Sequence, residues 1–218
     1  YFNGIIDEVR IYNRALSPEE IRYHYNQGRP VAHWRFDEGS GNIAYDSTSN
    51  NNDCTWSGSS SHWTSEGKFN GGAIFNGTDD YLSCQNVGNI KTISFWVKPK
   101  SLTQSIIDLN GTQTITLSNG QIQNFTSPTI YVDGKQSSTL PDTNWHHIAI
   151  TTESAISASN VYLGKVGSNY FNGILDDIRL YNYVRSPDEI RLDYNAGLAV
   201  KLGGSPTNIF SGSKLYQE

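Results

Sequence analysis

The chain contains one 28-residue segment twice. Residues Tyr1–Gly28 and Tyr170–Gly197 align without a gap at an offset of 169, and 17 of the 28 positions are identical. Several other positions exchange Ile, Leu and Val among themselves, or Asp for Glu. A gapless repeat of this length indicates duplicated structural units. Because the offset is close to the size of one domain, the second copy is predicted to close a domain that starts after the first copy.

Each copy predicts a strand followed by a short capped helix. In the second copy, GILDDIRLYN alternates with a period of two, as a strand does. Ser186 then suits the N-cap of a helix, Pro187 suits its first position, and Glu189 completes a capping box. Gly197 is placed to stop this helix. The first copy carries the same Ser, Pro, Glu and Gly at the matching positions.

The repeat divides the chain into three predicted parts. Residues 1–28 would be the terminal strand and helix of a preceding repeat, 31–197 a complete domain, and 198–218 a linker or the start of a following segment. Leu198–Leu202 is also compatible with an edge strand. We therefore expect a piece of a tandem array, with neighbouring domains as partners. The first copy would also fit a neighbouring chain that lacks this strand, which predicts head-to-tail self-association.

The segment between the copies reads as an all-β domain. Short alternating stretches recur between turn-forming Gly, Asn, Asp and Ser residues, and no long helical pattern interrupts them. This spacing predicts a two-sheet antiparallel sandwich. The stretch Ser57–Gly72 is predicted to be a loop. The predicted strands are Val31–Asp37, Cys54–Trp56, Ala73–Asn76, Tyr81–Cys84, Thr92–Lys98, Ser105–Leu109, Thr114–Leu117, Gln121–Asn124, Thr129–Val132, His146–Thr152 and Asn160–Leu163.

Composition narrows the classes of function. Charged residues make up 17% of the chain and aromatic residues 12%, while Gly, Ser, Thr and Asn are abundant. This composition is typical of an extracellular or cell-surface β-protein with many turns. The formal net charge of -5 argues against a nucleic-acid partner, which would favour a basic surface. No apolar run approaches the roughly 18 residues that a membrane span needs.

The chain has two cysteines, Cys54 and Cys84. In a secreted protein an even pair favours a disulfide, and we expect these two to be bonded. Two buried free thiols are the alternative. A bridge that closes a loop of about 30 residues would stabilise the fold by roughly 3 kcal/mol or somewhat more.

Five motifs in order resemble a known family. They are HWRFDEGSG with AYDSTSNNND, GKFNGGAIFNGTDDYLSC, ISFWVKP, NWHHIAIT and YFNGILDDIRLYN. Together they resemble the LamG-like jelly-roll module of the concanavalin A-like lectin/glucanase superfamily, over Val31–Gly197. The resemblance implies a concanavalin A-like jelly-roll sandwich with a short capped helix after the last strand. One departure is the turn Tyr131–Gly134, which precedes Trp145 instead of following it, so no site is carried over from the middle strands.

Catalysis is not expected. Hydrolases of this superfamily place two carboxylates on one strand as E-x-D-x-x-E or E-x-D-x-E, and this spacing is absent from the sequence. The adjacent pairs Asp79-Asp80 and Asp176-Asp177 would point to opposite faces of a strand. His146 and His147 would also face opposite sides, so one metal ion would not readily bind both.

A structural Ca²⁺ ion is one hypothesis for three carboxylates. Asp176 shares a predicted strand face with Ile178 and Leu180, where an unpaired charge would be costly. Glu38 follows the inner face of the first strand, and Asp46 opens a polar turn. Their oxygens would suit Ca²⁺ if the first and last strands are neighbours, and the resemblance implies that related modules hold this ion. The alternative is that Asp46 and Asp176 accept backbone hydrogen bonds and cap turns.

Trp56 and Trp63 are the predicted ligand-binding residues, because they flank a Ser/Gly-rich loop where an aromatic face would be available to a sugar. Packing at the edge of the core is the alternative for both. The sequence thus predicts a non-catalytic recognition or adhesion module for a glycan or a surface protein. A structural spacer domain and an accessory domain of a secreted glycoside hydrolase are the alternatives.

Overall fold

The computed structural model describes residues 2–6, 9, 11–16, 21 and 28–201, with side chains up to Gly197. The chain forms two antiparallel sheets that pack face to face. Strands of the first, eight-stranded sheet are β1 (Ala32–Trp34), β4 (Trp63–Phe69), β5 (Gly71–Asn76), β7 (Gly88–Pro99), β11 (Thr129–Val132), β12 (Lys135–Gln136), β13 (His146–Ala158) and β17 (Asn172–Tyr181).

The second sheet has seven strands and lies on the other side of the core. Its members are β2 (Ile43–Ala44), β3 (Cys54–Ser57), β6 (Tyr81–Gln85), β8 (Gln104–Asp108), β9 (Thr114–Ser118), β10 (Gln121–Gln123) and β14 (Val161–Leu163). A separate two-stranded hairpin is formed by β15 (Lys165–Val166) and β16 (Asn169–Tyr170). The predicted all-β sandwich is therefore confirmed.

The second copy of the repeat supplies the central strand of the first sheet. Strand β17 lies between β7 and β5, and β1 pairs with its last residues. Between the two sheets, alternate aliphatic and aromatic side chains form one continuous core, in which Trp34 and Phe95 are completely buried. Because β17 contacts three strands, the sandwich depends on this segment more than on any edge strand.

The helix predicted after the last strand is present as α1 (Pro187–Lys201). Its capping box is confirmed, because the Ser186 amide donates to Glu189 Oε2 at 2.8 Å and the Glu189 amide donates to Ser186 Oγ at 3.3 Å. The prediction that Gly197 ends the helix is wrong, since α1 continues to Lys201. Gly197 packs directly on the Trp96 ring, which a Cβ at this position would overlap.

A bulge in β17 places Asp176 on the opposite face of the sheet from the one predicted. The pairing of β17 with β7 shifts register between Asp176 and Arg179, and Asp177 adopts a φ of 50°. Asp176 is paired with Trp96, whose ring stacks on Tyr194 of α1 at 5.9 Å. Asp176 therefore lies on the helix-covered face of the first sheet, and not with the core side chains of the residues that follow the bulge.

Two other predicted boundaries are wrong. The stretch Ser57–Gly72 is not all loop, because it contains β4, which pairs with β5 at the edge of the first sheet. Its Ser- and Gly-rich sequence hides the alternation of a strand. Leu198–Leu202 is not an edge strand as far as it is described, since α1 runs through residues 198–201.

The first copy of the repeat differs sharply in environment from the second. Ile5 and Ile11 are 96% and 95% exposed, whereas their counterparts Ile174 and Leu180 are 4% and 0% exposed. The predicted helix of this copy lies almost entirely outside the described residues. The assignment of residues 1–28 to a preceding repeat, the boundaries 31–197 and 198–218, and head-to-tail self-association all stay predictions.

The disulfide between Cys54 and Cys84 is confirmed. It joins β3 to β6, which are neighbours in the second sheet, and both residues are buried in the core. The cross-link spans a sequence separation of 30 residues. Closing a loop of this length removes conformational freedom from the unfolded chain.

We expect the double variant Cys54→Ser/Cys84→Ser to lose about 3–4 kcal/mol of unfolding free energy. Urea denaturation followed by tryptophan fluorescence would measure this loss. Reductant should destabilise the wild type by a similar amount and leave the double variant unchanged. If reductant does not change the urea midpoint of the wild type, the disulfide does not contribute the expected stability.

Candidate glycan-binding groove

A groove of about 1000 Å³ lies on the outer face of the second sheet. Ser105 and Thr116 are paired across β8 and β9 and lie at its floor. Since Ile115 and Leu117 are both buried in the core, Thr116 between them points away from it. The β15–β16 hairpin and the loop before β8 form the walls, so residues distant in sequence meet at this surface.

The groove is lined mostly by amide and hydroxyl side chains. An amide both donates and accepts hydrogen bonds, and so does a hydroxyl. This chemistry complements a ligand that carries many hydroxyl groups. The polar residues that line the groove are Thr78, Ser101, Thr103, Gln104, Ser105, Thr116, Asn124, Ser168, Asn169 and Asn172.

Internal hydrogen bonds fix the wall of the groove. Gln104 Oε1 accepts from the Asn172 amide at 2.7 Å, and Gln104 Nε2 donates to the Asn172 carbonyl at 2.9 Å and to the Ser101 carbonyl at 3.1 Å. On the floor, Asn124 Nδ2 donates to Thr116 Oγ1 at 2.7 Å. The groove is therefore largely preformed, which lowers the entropic cost of binding.

Three tyrosines form a cluster of aromatic rings, and one of them lines the groove. Tyr170 lines the groove, and its ring centroid lies 6.3 Å from that of Tyr81, which lies 5.8 Å from that of Tyr162. We call these three residues the tyrosine cluster. The Lys165 ammonium lies 4.4 Å from the Tyr81 centroid and 5.5 Å from the Tyr170 centroid. Half-buried tyrosines of this kind offer an apolar ring and a polar hydroxyl to the same ligand.

A second, smaller pocket of about 520 Å³ is lined by Val31, Val87 and several asparagines. Two of these asparagines already serve the fold: Asn50 Nδ2 and Asn52 Nδ2 donate to the Val31 carbonyl at 2.8 and 2.9 Å. This pocket has about half the volume of the groove and fewer lining residues. We therefore take the groove as the candidate site.

Comparison with known families agrees with the architecture. Residues 129–191 match a laminin G family model, described as the concanavalin A-like lectin/glucanases superfamily. The sandwich has a jelly-roll fold similar to that of this superfamily. This confirms the resemblance predicted from the sequence motifs. No curated protein matches the chain by sequence.

Two solved structures illustrate the likeness of the jelly roll. Domain 4 of AbnA, a GH43 extracellular arabinanase from Geobacillus stearothermophilus in complex with arabinotriose, matches with a TM-score of 0.55 and 20% identity, over 76% of this chain and 98% of that one. The botulinum neurotoxin serotype G binding domain matches with a TM-score of 0.50 and 12% identity, over 76% of this chain and 50% of that one. At such identities both show the fold alone.

The jelly roll uses Trp56 and Trp63, the predicted ligand-binding residues, largely for packing. Trp56 is only 5% exposed and belongs to the core, with its ring 4.8 Å from Phe75 and 5.7 Å from Trp63. Trp63 is partly buried, and its indole N–H donates to the Gly41 carbonyl at 2.8 Å. Neither residue lines the groove. A ligand-binding role for them stays a prediction.

Asp46, one of the predicted calcium ligands, is engaged in local hydrogen bonds. Its Oδ1 accepts from the amides of His33 and Thr48 at 3.0 and 2.9 Å, and its Oδ2 accepts from the Asn52 amide at 2.9 Å. These contacts organise the polar turn between β2 and β3 and anchor it to β1. They match the alternative interpretation of a turn-capping carboxylate.

Glu38 and Asp176 each keep one buried oxygen without a hydrogen-bond partner. Glu38 Oε1 accepts from the Tyr45 amide at 2.8 Å, and Asp176 Oδ2 accepts from the Phe69 amide at 2.7 Å. Their second oxygens, Oε2 and Oδ1, are buried and unpartnered. Across the described part of the chain, no three His, Cys, Asp or Glu side chains form a group that could hold one metal ion. Calcium binding stays a prediction.

Burial raises the pKa of Asp176 to about 8. The nearby carboxylate of Asp177 acts in the same direction, and the Phe69 amide opposes both. At neutral pH the group is therefore mostly protonated in the folded protein, although it ionises near 3.8 when the chain is unfolded. Folding then becomes less favourable as the pH rises from 3.8 to 8, because only the unfolded state loses its proton in this range.

The variant Asp176→Asn should distinguish between two hypotheses: that Asp176 is a neutral buried acid, and that it is a calcium ligand. As a neutral buried acid, Asp176 weakens the fold above pH 4, so asparagine should raise the unfolding free energy at pH 8 by a few kcal/mol and change little at pH 4. A calcium ligand predicts the opposite: asparagine would lower the melting temperature in Ca²⁺, and a chelator would lower that of the wild type. Thermal melts at both pH values, with and without chelator, distinguish the two.

The histidine pair lies on opposite faces of β13, as predicted from alternation. His147 is on the helix-covered side, with its ring 5.2 Å from that of Trp96, and burial lowers its pKa to about 3. His146 Nδ1 lies 2.7 Å from Asp133 Oδ2, and Nε2 lies 3.0 Å from Asp142 Oδ1. His146 thus connects β13 to two turns.

The contact between His146 and its two aspartates predicts a pH-dependent stability. Burial is the largest effect and lowers the pKa of His146, but the hydrogen bonds that its ring donates to Asp133 and Asp142 outweigh burial and raise the pKa above 6.5. The stabilisation is complete below pH 6.5 and is lost as the pH rises through the folded pKa. His146→Gln should therefore cost more unfolding free energy at pH 5.5 than at pH 8.5.

Denaturant melts at the two pH values would measure this difference, and NMR titration of the imidazole would report the pKa directly. A His146→Gln penalty that is equal at both pH values would contradict the electrostatic explanation and leave only a packing role.

The groove residues were not predicted from the sequence. Outward-facing Thr116 alternates with the core residues Ile115 and Leu117, which is the local signal that it carries. Tyr81, Tyr162 and Tyr170 lie on three different strands, and only the fold brings their rings together.

Proposed function

We propose that this domain is a non-catalytic recognition module that binds glycans in the groove on the second sheet. The observation that carries this function is the lining, which combines amide and hydroxyl groups on a preformed floor with Tyr170 of the tyrosine cluster. Sugars present hydroxyls at their edges and C–H groups on their faces, so polar side chains and an aromatic ring complement both.

The fold and the setting support this proposal. The arabinanase domain that shares the jelly roll was solved in complex with arabinotriose, and the family model names lectins and glucanases. The Cys54–Cys84 disulfide favours an oxidising compartment, so we place the domain outside the cell or on its surface. Within the described ranges, no helix has the length and apolar character needed to cross a bilayer.

An accessory domain of a secreted glycoside hydrolase is a second candidate in the same class. The observation that favours it is the arabinanase domain, which covers 76% of this chain and belongs to an extracellular GH43 enzyme. A surface protein as ligand and a structural spacer are the competing hypotheses. A spacer does not need a preformed groove. In this domain the hydrogen bonds of Gln104 to the Asn172 backbone fix the wall of the groove, which favours a binding role.

Removing the aromatic wall should weaken glycan binding. We expect Tyr170→Ala to reduce affinity at least tenfold, because it removes one ring of the tyrosine cluster, while Ile43→Ala on the far edge of the second sheet should have no effect. A glycan array with the wild type would find ligands, and calorimetry would compare the variants. Silence across the array would favour the spacer, and equal affinity for Tyr170→Ala would place the ligand elsewhere.

A further inference from the structure

The charged residue that lines the groove has the opposite sign to the net charge of the whole chain. The formal net charge of the protein is -5. Among the described residues that line the groove, Lys100 is the one charged side chain, and no Asp or Glu is present. A concave surface with one sign of charge concentrates its field on a ligand inside it. The charge on the groove lining is thus opposite in sign to the net charge of the protein.

A second lysine, Lys165, lies next to the groove residue Val166 in sequence and contacts the groove residue Tyr170. Lys165 begins the hairpin that forms one wall, and its ammonium lies 4.4, 5.6 and 5.5 Å from the ring centroids of Tyr81, Tyr162 and Tyr170. These rings position the ammonium without neutralising it, since a cation–π contact contributes only about 0.5–1 kcal/mol at a partly exposed site.

Neither lysine has a carboxylate partner in the described structure. Lys98 does have such a partner, since it lies 3.9 Å from Glu66, and neither of these two residues lines the groove. Lys100 is exposed on the loop before β8, and its amide donates to the Asn172 carbonyl at 2.9 Å, which fixes the backbone that carries the charge. Both ammonium groups are therefore available to an anionic group on a ligand.

We propose that the groove selects anionic glycans, whose carboxylate or sulfate groups are bound by Lys100 and Lys165. This inference rests on the proposed glycan-binding function and specifies its ligand class. An ammonium is a compact point charge that binds either anion without the paired geometry of arginine, so both acidic groups share the same chemistry. The hydroxyl-binding lining then holds the sugar ring, and the two lysines discriminate against neutral sugars.

A matched pair of ligands tests the charge without changing the sugar. Calorimetry would compare oligogalacturonide with its methyl ester, which keeps the hydroxyls and removes the carboxylates, and a sulfated oligosaccharide of similar length would distinguish sulfate from carboxylate. We expect at least tenfold tighter binding of one anionic ligand, and a loss of that preference as the salt concentration rises.

Variants assign the preference to the two lysines. Lys100→Gln and Lys165→Gln should each reduce the ratio of the affinities for the anionic and the neutral ligand several-fold. Lys165→Arg keeps the charge and should retain the preference for the anionic ligand. Lys135→Gln is the control, because this exposed residue lies on β12 at the far edge of the first sheet and changes the net charge equally. Thermal melts would verify that each variant is folded.

The outcomes separate the two proposals. Equal binding of neutral and anionic ligands, unchanged in the glutamine variants, would overturn the anionic preference and leave glycan binding intact. If Lys135→Gln loses the preference for the anionic ligand to the same extent, that preference depends on net charge alone. This outcome would overturn the role of the groove lysines. Failure of every glycan, neutral or anionic, would overturn the glycan-binding function and this inference with it.

Discussion

A bulge in the central strand turns two neighbouring carboxylates toward the helix-covered face of the first sheet. Asp177 there lies 2.6 Å from a ring nitrogen of His33 on β1 and 2.9 Å from the guanidinium of Arg179. Burial pushes the pKa of Asp177 upward, but His33 and Arg179 hold it below its ordinary value. Arg179 also reaches Asp193 on α1, which Arg185 binds at 2.8 Å. This chain of buried charges joins the opening strand, the closing strand and the helix, and removing one partner would leave an uncompensated charge.

The two outer faces of the sandwich consequently serve different ends. On the first sheet, the helix covers Trp96 and packs its own Ile190 against Tyr131 and Ala149, so this face belongs to the interior. On the second sheet no helix is placed over the strands in the described structure, and the polar groove occupies that surface. Stabilising charges and candidate recognition groups are thus separated by the thickness of the core. A substitution in the groove can then alter binding without disturbing the ion pairs that hold α1.

Local pattern was enough to predict the architecture but not the site. Alternation and turn residues identified most strands, and the Ser186–Glu189 box identified the helix start, because each of these signals depends on residues close in sequence. The bulge beside Asp176 has no such signal, so strict alternation put this carboxylate on the wrong face. Gly197 looked like a helix stop, whereas the Trp96 ring is what requires a glycine there. The groove depends on long-range strand pairing and a distant hairpin, which no window of the sequence contains.

The repeat gives the chain two segments with the apolar pattern of its central strand. The first copy, with Ile5 and Ile11, is synthesised before the second copy. The second copy has the same apolar spacing and is the one that forms the central strand. The buried charges distinguish the two. Where the second copy has Arg185 and Asp193, the first has Leu16 and His24, so the earlier segment cannot complete the ionic chain across the helix. The ion pair between Arg185 and Asp193 is therefore a feature of the second copy that the apolar pattern shared by both copies does not provide.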